Sequence, residues 1–464
     1  MQTSFTLAQL ADPDVAEADK ILRACVHCGF CTATCPTYVL LGDELDSPRG
    51  RIYLIKDMLE NDRPATAEVV KHIDRCLSCL ACMTTCPSGV HYMHLVDHAR
   101  VHIEETYRRP WADRAMRTVL ANLLPYPQRF RAALAAGWLP GRLAALFSNR
   151  SAAQRKAVPV GEGTGGLARR VSAMLSLMPT RLLNRSAHAT SGALSPATPR
   201  KGRVVVLQGC AQSVLAPSIN EAAVRLLTRH GIEVAPVPGE GCCGALVHHM
   251  GRERQALAQA RNNIDAWTRE IENGALDAII ITASGCGTTI KDYGFMLRGD
   301  PTYAEKAARV SALALDISEY LARLGLGAAA QPSGLKVAYQ SACSLLHGQK
   351  ITKQPKELLA SAGYSVSDIA EAHLCCGSAG TYNIMQPDIA RALRDRKVAA
   401  IERTGADVIA TGNVGCMTHI APATAIPIVH TVELLDWAYG GPAPGALKHV
   451  RIEDNDSRRI ANAT

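Results

Sequence analysis

The chain has 464 residues, too many for one hydrophobic core, so two to four domains are expected. Apolar residues make up 47%, as in an ordinary globular protein, while aromatics at 5% are too sparse for the stacking platforms of a nucleic-acid binder. The net charge of +8 is uneven: between Val101 and Arg203 there are 17 Lys and Arg against four Asp and Glu, so the remainder is net negative.

That basic stretch reads as a solvated connector, or as a docking surface for an acidic partner or anionic lipid. No recognition motif accompanies it, and nucleic acid is not expected as a partner. The start of the chain lacks a charged segment followed by an apolar one, so it does not read as a secretory signal. No run of about 18 apolar residues suggests a transmembrane segment. A cytoplasmic protein is expected, with any membrane contact peripheral, on the inner face of the cytoplasmic membrane.

The sixteen cysteines form two unlike sets. In a reducing compartment they read as metal ligands or redox groups rather than structural disulfides. The first motif is Cys25-Val-His-Cys28-Gly-Phe-Cys31-Thr-Ala-Thr-Cys35-Pro36 and the second is Cys76-Leu-Ser-Cys79-Leu-Ala-Cys82-Met-Thr-Thr-Cys86-Pro87. Both are C-x2-C-x2-C-x3-C-P. Three cysteines spaced by two residues let one tight loop wrap three irons of a [4Fe–4S] cube. The fourth ligates the other cluster in two-cluster proteins. Cys25, Cys28, Cys31 and Cys86 are therefore assigned to one cluster, and Cys76, Cys79, Cys82 and Cys35 to the other. Structural zinc sites use separated C-x2-C pairs, and the third and fourth cysteines of each motif argue against them. Gly29 keeps the first loop small, and Pro36 and Pro87 end the two loops.

Between the motifs a helix is expected, with Ser47 as N-cap, Pro48 at its first position, and Ile52, Leu54, Ile55, Met58 and Leu59 on one face. Residues 1–110 thus read as a mainly helical ferredoxin-type module whose folding energy comes largely from its clusters. A helix is expected around Trp111 to Leu123. Residues 111–200 then become a basic connector rich in Ala, Arg and Pro, with linker-like GEGTGG at Gly161 to Gly166 and SGALSPATPRKG near Ser191.

The rest is a duplication. VVVLQGC (Val204 to Cys210) matches KVAYQSAC (Lys336 to Cys343), EGCCG matches HLCCG, and DAIIITASGC (Asp277 to Cys286) matches DVIATGNVGC (Asp407 to Cys416). Cys210, Cys242 and Cys243 recur as Cys343, Cys375 and Cys376 at a constant offset, and Cys286 recurs as Cys416 at nearly the same one. Each repeat, 201–330 and 331–445, reads as alternating strands and helices, hence an α/β domain with a parallel sheet. The cysteines would converge at the carboxyl edge. A polar tail, 446–464, follows. Three readings of the Cys-Cys-Gly segments stay open: a further, unusual cluster, a dithiol–disulfide pair, or a structural remnant. Gly239-Glu-Gly241-Cys-Cys-Gly244 matches G-x-G-x-x-G literally, but Pro236 and Pro238 precede it where a buried strand should stand, so nicotinamide or flavin binding is rejected. His27, His347, His373 and His419 lie near cysteines and are read as packing or surface groups.

The stretches CVHCGFCTATCPTY (from Cys25), GDELDSPRGRIYLIK (Gly42 to Lys56), RCLSCLACMTTCPSGV (from Arg75), TASGCG, HGQK (His347 to Lys350) and HLCCGSAGTYN (His373 to Asn383) resemble the iron–sulfur subunits of glycolate oxidase, also called glycolate dehydrogenase. The resemblance implies a complex with FAD-binding subunits that oxidise glycolate (or D-lactate), and cysteine-rich repeats similar to those of heterodisulfide reductases. Where those relatives carry a second Cys, this chain has Thr289 and His419. Removing hydride from a hydroxy acid takes two electrons and a cluster takes one, so a flavin on a partner must stand between them. No catalytic residue is expected here, and a quinone-type acceptor is. The alternatives are the same role in lactate or glycerol-3-phosphate oxidation, or a heterodisulfide-reductase-like redox subunit.

Overall fold

The computed structural model describes residues 1–136, 166–177, 196, 199–331 and 334–448. Most of both linker-like segments and nearly all of the polar tail lie outside these residues. The chain forms two compact units. Unit 1 comprises Met1–Leu182, Gly241–Arg261 and His373–Asp395, and unit 2 comprises Leu183–Glu240, Asn262–Ala372 and Arg396–Thr464. Each repeat therefore contributes its Cys-Cys-Gly segment to unit 1 and its strands to unit 2.

Unit 1 is helical. Its main N-terminal helices, Pro13–Ala24, Pro48–Glu60, Ala67–Asp74 and Tyr92–Thr106, start where local chemistry dictates. Asp12, Ser47 and Thr66 each cap the helix that follows by accepting from a backbone N–H, and Pro13 and Pro48 occupy first positions where no N–H is needed. Apolar residues at helical spacing meet in one core around Leu22, Ile55, Ile73, Leu95 and Ile103, all fully buried. Each such side chain stabilises the fold by about 1.5–3 kcal/mol. Of the stripe expected on the second helix, Ile52, Ile55, Met58 and Leu59 are buried and Leu54 packs at the margin.

The basic stretch is not simply solvated. Arg109, Arg117 and Arg170 are largely buried and pair with Asp74 and Asp113, which tie the Trp111–Leu123 and Leu167–Ser176 helices to the end of the Ala67–Asp74 helix. Burial alone would raise the Asp74 pKa, yet Arg117 and Arg109 hold it below the usual carboxylate range. Part of the positive excess thus balances internal carboxylates.

Unit 2 holds two four-stranded, wholly parallel sheets of identical topology. Strands β1 (Gly202–Val206), β2 (Ile232–Ala235), β3 (Ala278–Ile281) and β4 (Ala314–Asp316) lie in the order β2-β1-β3-β4. Strands β5 (Lys336–Gln340), β6 (Ser365–Asp368), β7 (Val408–Thr411) and β8 (Ile428–His430) repeat it as β6-β5-β7-β8. The central strands β3 and β7 are buried throughout, as helices on both faces require, whereas the edge strand β6 is polar and partly exposed. The repeats pair through the Ser218–Arg229 and Thr431–Ala438 helices, where Leu226, Leu227 and Leu434 are fully buried. Arg225 and Arg229 both reach Asp436 across that seam, at 2.7 and 2.9 Å.

Candidate iron–sulfur centres

The two cysteine motifs fold into the same loop twice. Cys25 and Cys76 each donate their N–H to the residue three before, Leu22 and Ile73, as the preceding helix ends. The third and fifth positions of each motif then turn left-handed: His27 (φ 54°) and Gly29 (84°) in the first, Ser78 (49°) and Leu80 (63°) in the second. Three of these four are not glycine, so the backbone holds a conformation that sterics disfavour. Such geometry persists only where surroundings over-determine it, and functional sites are where it clusters. Leu80 at the position of Gly29 shows that the loop demands the dihedral rather than the glycine. A turn then closes each loop, Thr32 N–H to Gly29 O and Met83 N–H to Leu80 O, and brings the fourth cysteine round.

Cys86, the fourth cysteine of the second motif, comes to the first loop. Cys25, Cys28, Cys31, Cys82 and Cys86 all line one hollow. Burial pushes the Cys31 thiol up to about 11, and the sulfurs of Cys25, Cys35 and Cys86 add to the rise. The Cys82 thiol is likewise raised well above its ordinary value, first by burial and then by Cys79, Cys76, Cys35 and Cys31. Thiols crowded this way keep their protons until a cation replaces them, which is the chemistry of a polynuclear metal site. Four soft sulfur ligands per site fit an iron–sulfur cube.

The SPRGR stretch serves both sites from one helix. Arg49 lies over Gly29, where a Cβ would come within 2.8 Å of its guanidinium, and pairs with Glu44 at the surface. Arg51, two residues on, is buried. Its Nε donates to His72 O at 2.7 Å, Nη2 to Thr37 Oγ1 at 3.0 Å, and Nη1 points to Cys35 Sγ at 3.7 Å. Gly50 between them has no room for a side chain, because a Cβ would sit 2.1 Å from Glu44 O. Thr37 Oγ1 is also 3.2 Å from Cys35 Sγ, and Tyr92 Oη is 3.8 Å from Cys76 Sγ. Asp46, His72 and Asp43 form a compact cluster of metal-binding type, but Asp46 is committed to Arg51, Arg75 and His72. Burial would raise the Asp46 pKa, and its His72 and arginine partners instead depress it.

The second loop also meets the Cys-Cys-Gly segments. Arg100 donates to Ser78 Oγ and Cys76 O, and to Asp97, which pairs with His248 and His249 beyond Cys243. Tyr382, six residues after Cys376, donates to Arg75 O at 3.0 Å, and its buried phenol feels both Cys76 and Cys375. Cys242, Cys243, Cys375 and Cys376 are all buried. Gly244 (φ 88°) and Gly377 (φ 91°) follow each pair, in a conformation only glycine adopts readily. A Cβ there would strike Ala256 O at 3.0 Å and Ala390 O at 2.4 Å, so each glycine lets its loop lie against the next helix.

The other four cysteines belong to unit 2. Cys210 and Cys343 follow β1 and β5, and Cys286 and Cys416 lie on the Ser284–Lys291 and Val414–Ile420 helices after β3 and β7. All four stand beyond carboxyl strand ends. The two carboxyl edges meet: Ser284 Oγ is 2.7 Å from Ser344 Oγ and accepts from Asn413 Nδ2 at 2.7 Å, and Gln349 donates to Ser284 O. The structure therefore divides the eight C-terminal cysteines four and four between the units. Motif spacing did not reveal Arg49, Arg51, Arg100, Tyr92 or Tyr382 as neighbours of the thiols. For Arg49, Arg51 and Tyr382 the one sequence signal was the distinctive SPRGRIY and CCGSAGTY stretches, and Tyr92 and Arg100 had none.

Residues 21–90 match the profile of a 4Fe-4S dicluster domain, and residues 204–291 and 337–421 each match a cysteine-rich (CCG) domain. The glycolate oxidase iron-sulfur subunit of Escherichia coli K12 is 43% identical over 94% of this chain and 99% of its own length. The chain belongs to the family of glycolate oxidase iron–sulfur subunits. Its other relatives include the probable glycolate oxidase iron-sulfur subunit of Bacillus subtilis 168, 31% identical over 85% of this chain and 87% of that protein. Lactate utilization protein A of Bacillus licheniformis is 25% identical over 49% of this chain and 96% of its own length. Family membership makes the chain an iron–sulfur protein of an oxidoreductase complex, with an electron-transfer role. Among the described residues no helix is long and apolar enough to cross a membrane.

Proposed function

We propose that this chain carries electrons within a flavin-dependent glycolate dehydrogenase, from an FAD-bearing subunit that converts glycolate to glyoxylate towards a quinone-type acceptor. Cys25, Cys28, Cys31 and Cys86 hold one [4Fe–4S] cube, and Cys76, Cys79, Cys82 and Cys35 hold the other. Each cube supplies the capacity to store and release one electron. The protein's part is to fix eight thiolates, exclude water from the inner loop and place that loop against the Cys-Cys-Gly segments. What supports the electron-transfer reading is that Cys86 of the second motif lines one hollow with Cys25, Cys28 and Cys31 of the first, as an exchange of fourth cysteines within one small module requires. The glycolate assignment is supported by the end-to-end similarity to the Escherichia coli subunit.

A second substrate is favoured by the lactate utilization relatives, whose likeness spans half the chain. Anaerobic purification of the tagged chain with its natural partners separates the two. A co-purifying flavoprotein through which glycolate reduces the clusters faster than lactate or glycerol 3-phosphate is expected. Faster reduction by either of the others would reassign the substrate, and a colourless, iron-free chain would refute the reading altogether.

A further inference from the structure

The two loops share a backbone but not a setting. The first faces solvent: Cys28 is exposed, as are Val26 and Phe30 beside it. Its nearby cation, Arg49, has a side chain 34% exposed and paired with Glu44, 45% exposed, so water screens the charge that reaches the thiols. The second loop is packed: Leu77, Cys79 and Leu80 are buried, and so is Arg51. Burial penalises the Arg51 charge, but Cys76, Cys35 and Asp46 more than offset that and hold the guanidinium firmly protonated. Asp46 does not cancel Arg51, because the same carboxylate also receives Arg75 at 2.7 Å. Two guanidinium groups face one carboxylate, which leaves a positive excess beside Cys35 in a low-dielectric setting.

We propose that Arg51 makes the inner cluster, held by Cys35, Cys76, Cys79 and Cys82, the more readily reduced of the two, so that an electron taken up at the solvent-facing site settles on the inner one. The proposal rests on the ligand assignment above. Gaining one electron makes a four-thiolate cube one unit more negative, with the added charge spread onto its sulfurs. A fixed buried cation favours that form and raises the potential, as hydrogen bonds to cluster sulfurs also do. The hydroxyl of Tyr92, which donates towards Cys76, acts in the same direction. The electron comes from reduced flavin in the complex and from dithionite in the test below.

The alternative is that Arg51 only pins the 35–46 turn to its helix. Midpoint potentials of both clusters, measured by paramagnetic resonance in mediated anaerobic titrations of the full chain, separate the two. Signals are assigned to loops with Cys28→Ser and Cys79→Ser. Arg51→Gln should lower the inner potential enough to change its reduced-to-oxidised ratio at least tenfold at fixed potential, about 59 mV for one electron, and leave the outer cluster unmoved. Asp46→Asn should raise the inner potential, and Arg51→Lys should fall between wild type and Arg51→Gln. Mere loosening of the turn would not reverse sign between Arg51→Gln and Asp46→Asn. Should Arg51→Gln fail to assemble the inner cluster, Asp46→Asn and Arg51→Lys decide. Unchanged inner potentials, equal shifts at both clusters, or a fall with Asp46→Asn would overturn the proposal. Loss of one and the same signal in Cys35→Ser and Cys28→Ser would instead overturn the ligand assignment.

Discussion

The loops Cys25–Cys35 and Cys76–Cys86 have the same cysteine spacing, the same left-handed turns and the same closing hydrogen bonds, yet one opens to solvent and the other is enclosed. The spacing specifies where thiolates stand. The residues between and around them specify what those thiolates experience. Gly29 against Leu80, His27 against Ser78, and a paired surface Arg49 against a buried Arg51 are the differences that matter. The proposed role, in which the chain meets a partner and passes electrons inward, needs one site of each kind.

Removing iron and sulfide should produce the largest effect and separate the two units. The ferredoxin-type core is small and its loops hold strained dihedrals, so unit 1 should lose helix and protease resistance while the parallel sheets of unit 2 persist. Circular dichroism and limited proteolysis of the apo chain measure this. Equal protection of Pro48–Glu60 with and without clusters would remove the proposed coupling of folding to metal.

Next in size is Gly50→Ala. A Cβ 2.1 Å from Glu44 O must push two backbones apart, at a cost of 1–3 kcal/mol or more, roughly. It should disturb both clusters because Arg49 and Arg51 flank it. Gly377→Ala, which strikes Ala390 O at 2.4 Å from a left-handed position, should spare them. Iron content and melting temperature of the two variants make the comparison. Between the N-terminal and C-terminal cysteines the sharper test is Cys375→Ala. It should cut reduction of the terminal acceptor more than tenfold with N-terminal cluster content unchanged, and equal loss of both would argue against separate roles.

The cysteine motifs, the duplication and the parallel sheets were legible because they rest on local rules: ligand spacing, period-matched apolar runs, and Ser47–Pro48 as a helix start. The environment of the thiols was not. Arg51 reads from sequence as one more charged residue on an amphipathic helix, and only the fold places it between Cys35, Thr37 and the His72 carbonyl. The same holds for the division of each repeat between two units, which depends on contacts made far along the chain. The basic segment misled in part because composition counts charges without showing that Arg109, Arg117 and Arg170 are turned inward.

The smallest expected effect concerns unit 2. Burial raises the Asp316 carboxyl to about 6, against the Ser318 hydrogen bonds and Lys291 that oppose the rise. A raised folded-state pKa favours the fold at pH below the unfolded value near 3.8, and that contribution disappears as pH climbs through about 6. Asp316→Asn keeps a helix cap and removes the charge. It should flatten the stability profile of unit 2 between pH 4 and 6, by roughly 1–3 kcal/mol at neutral pH. A profile unchanged from wild type would place the titration elsewhere.

The exchange of fourth thiolates is tested most directly by paramagnetic resonance of three anaerobically prepared variants, Cys28→Ser, Cys79→Ser and Cys35→Ser. Cys35→Ser should alter the same cluster signal as Cys79→Ser and leave the signal sensitive to Cys28→Ser intact. If Cys35→Ser instead reproduces the spectrum of Cys28→Ser, each loop keeps its own four ligands and the interlocked pair described above does not exist.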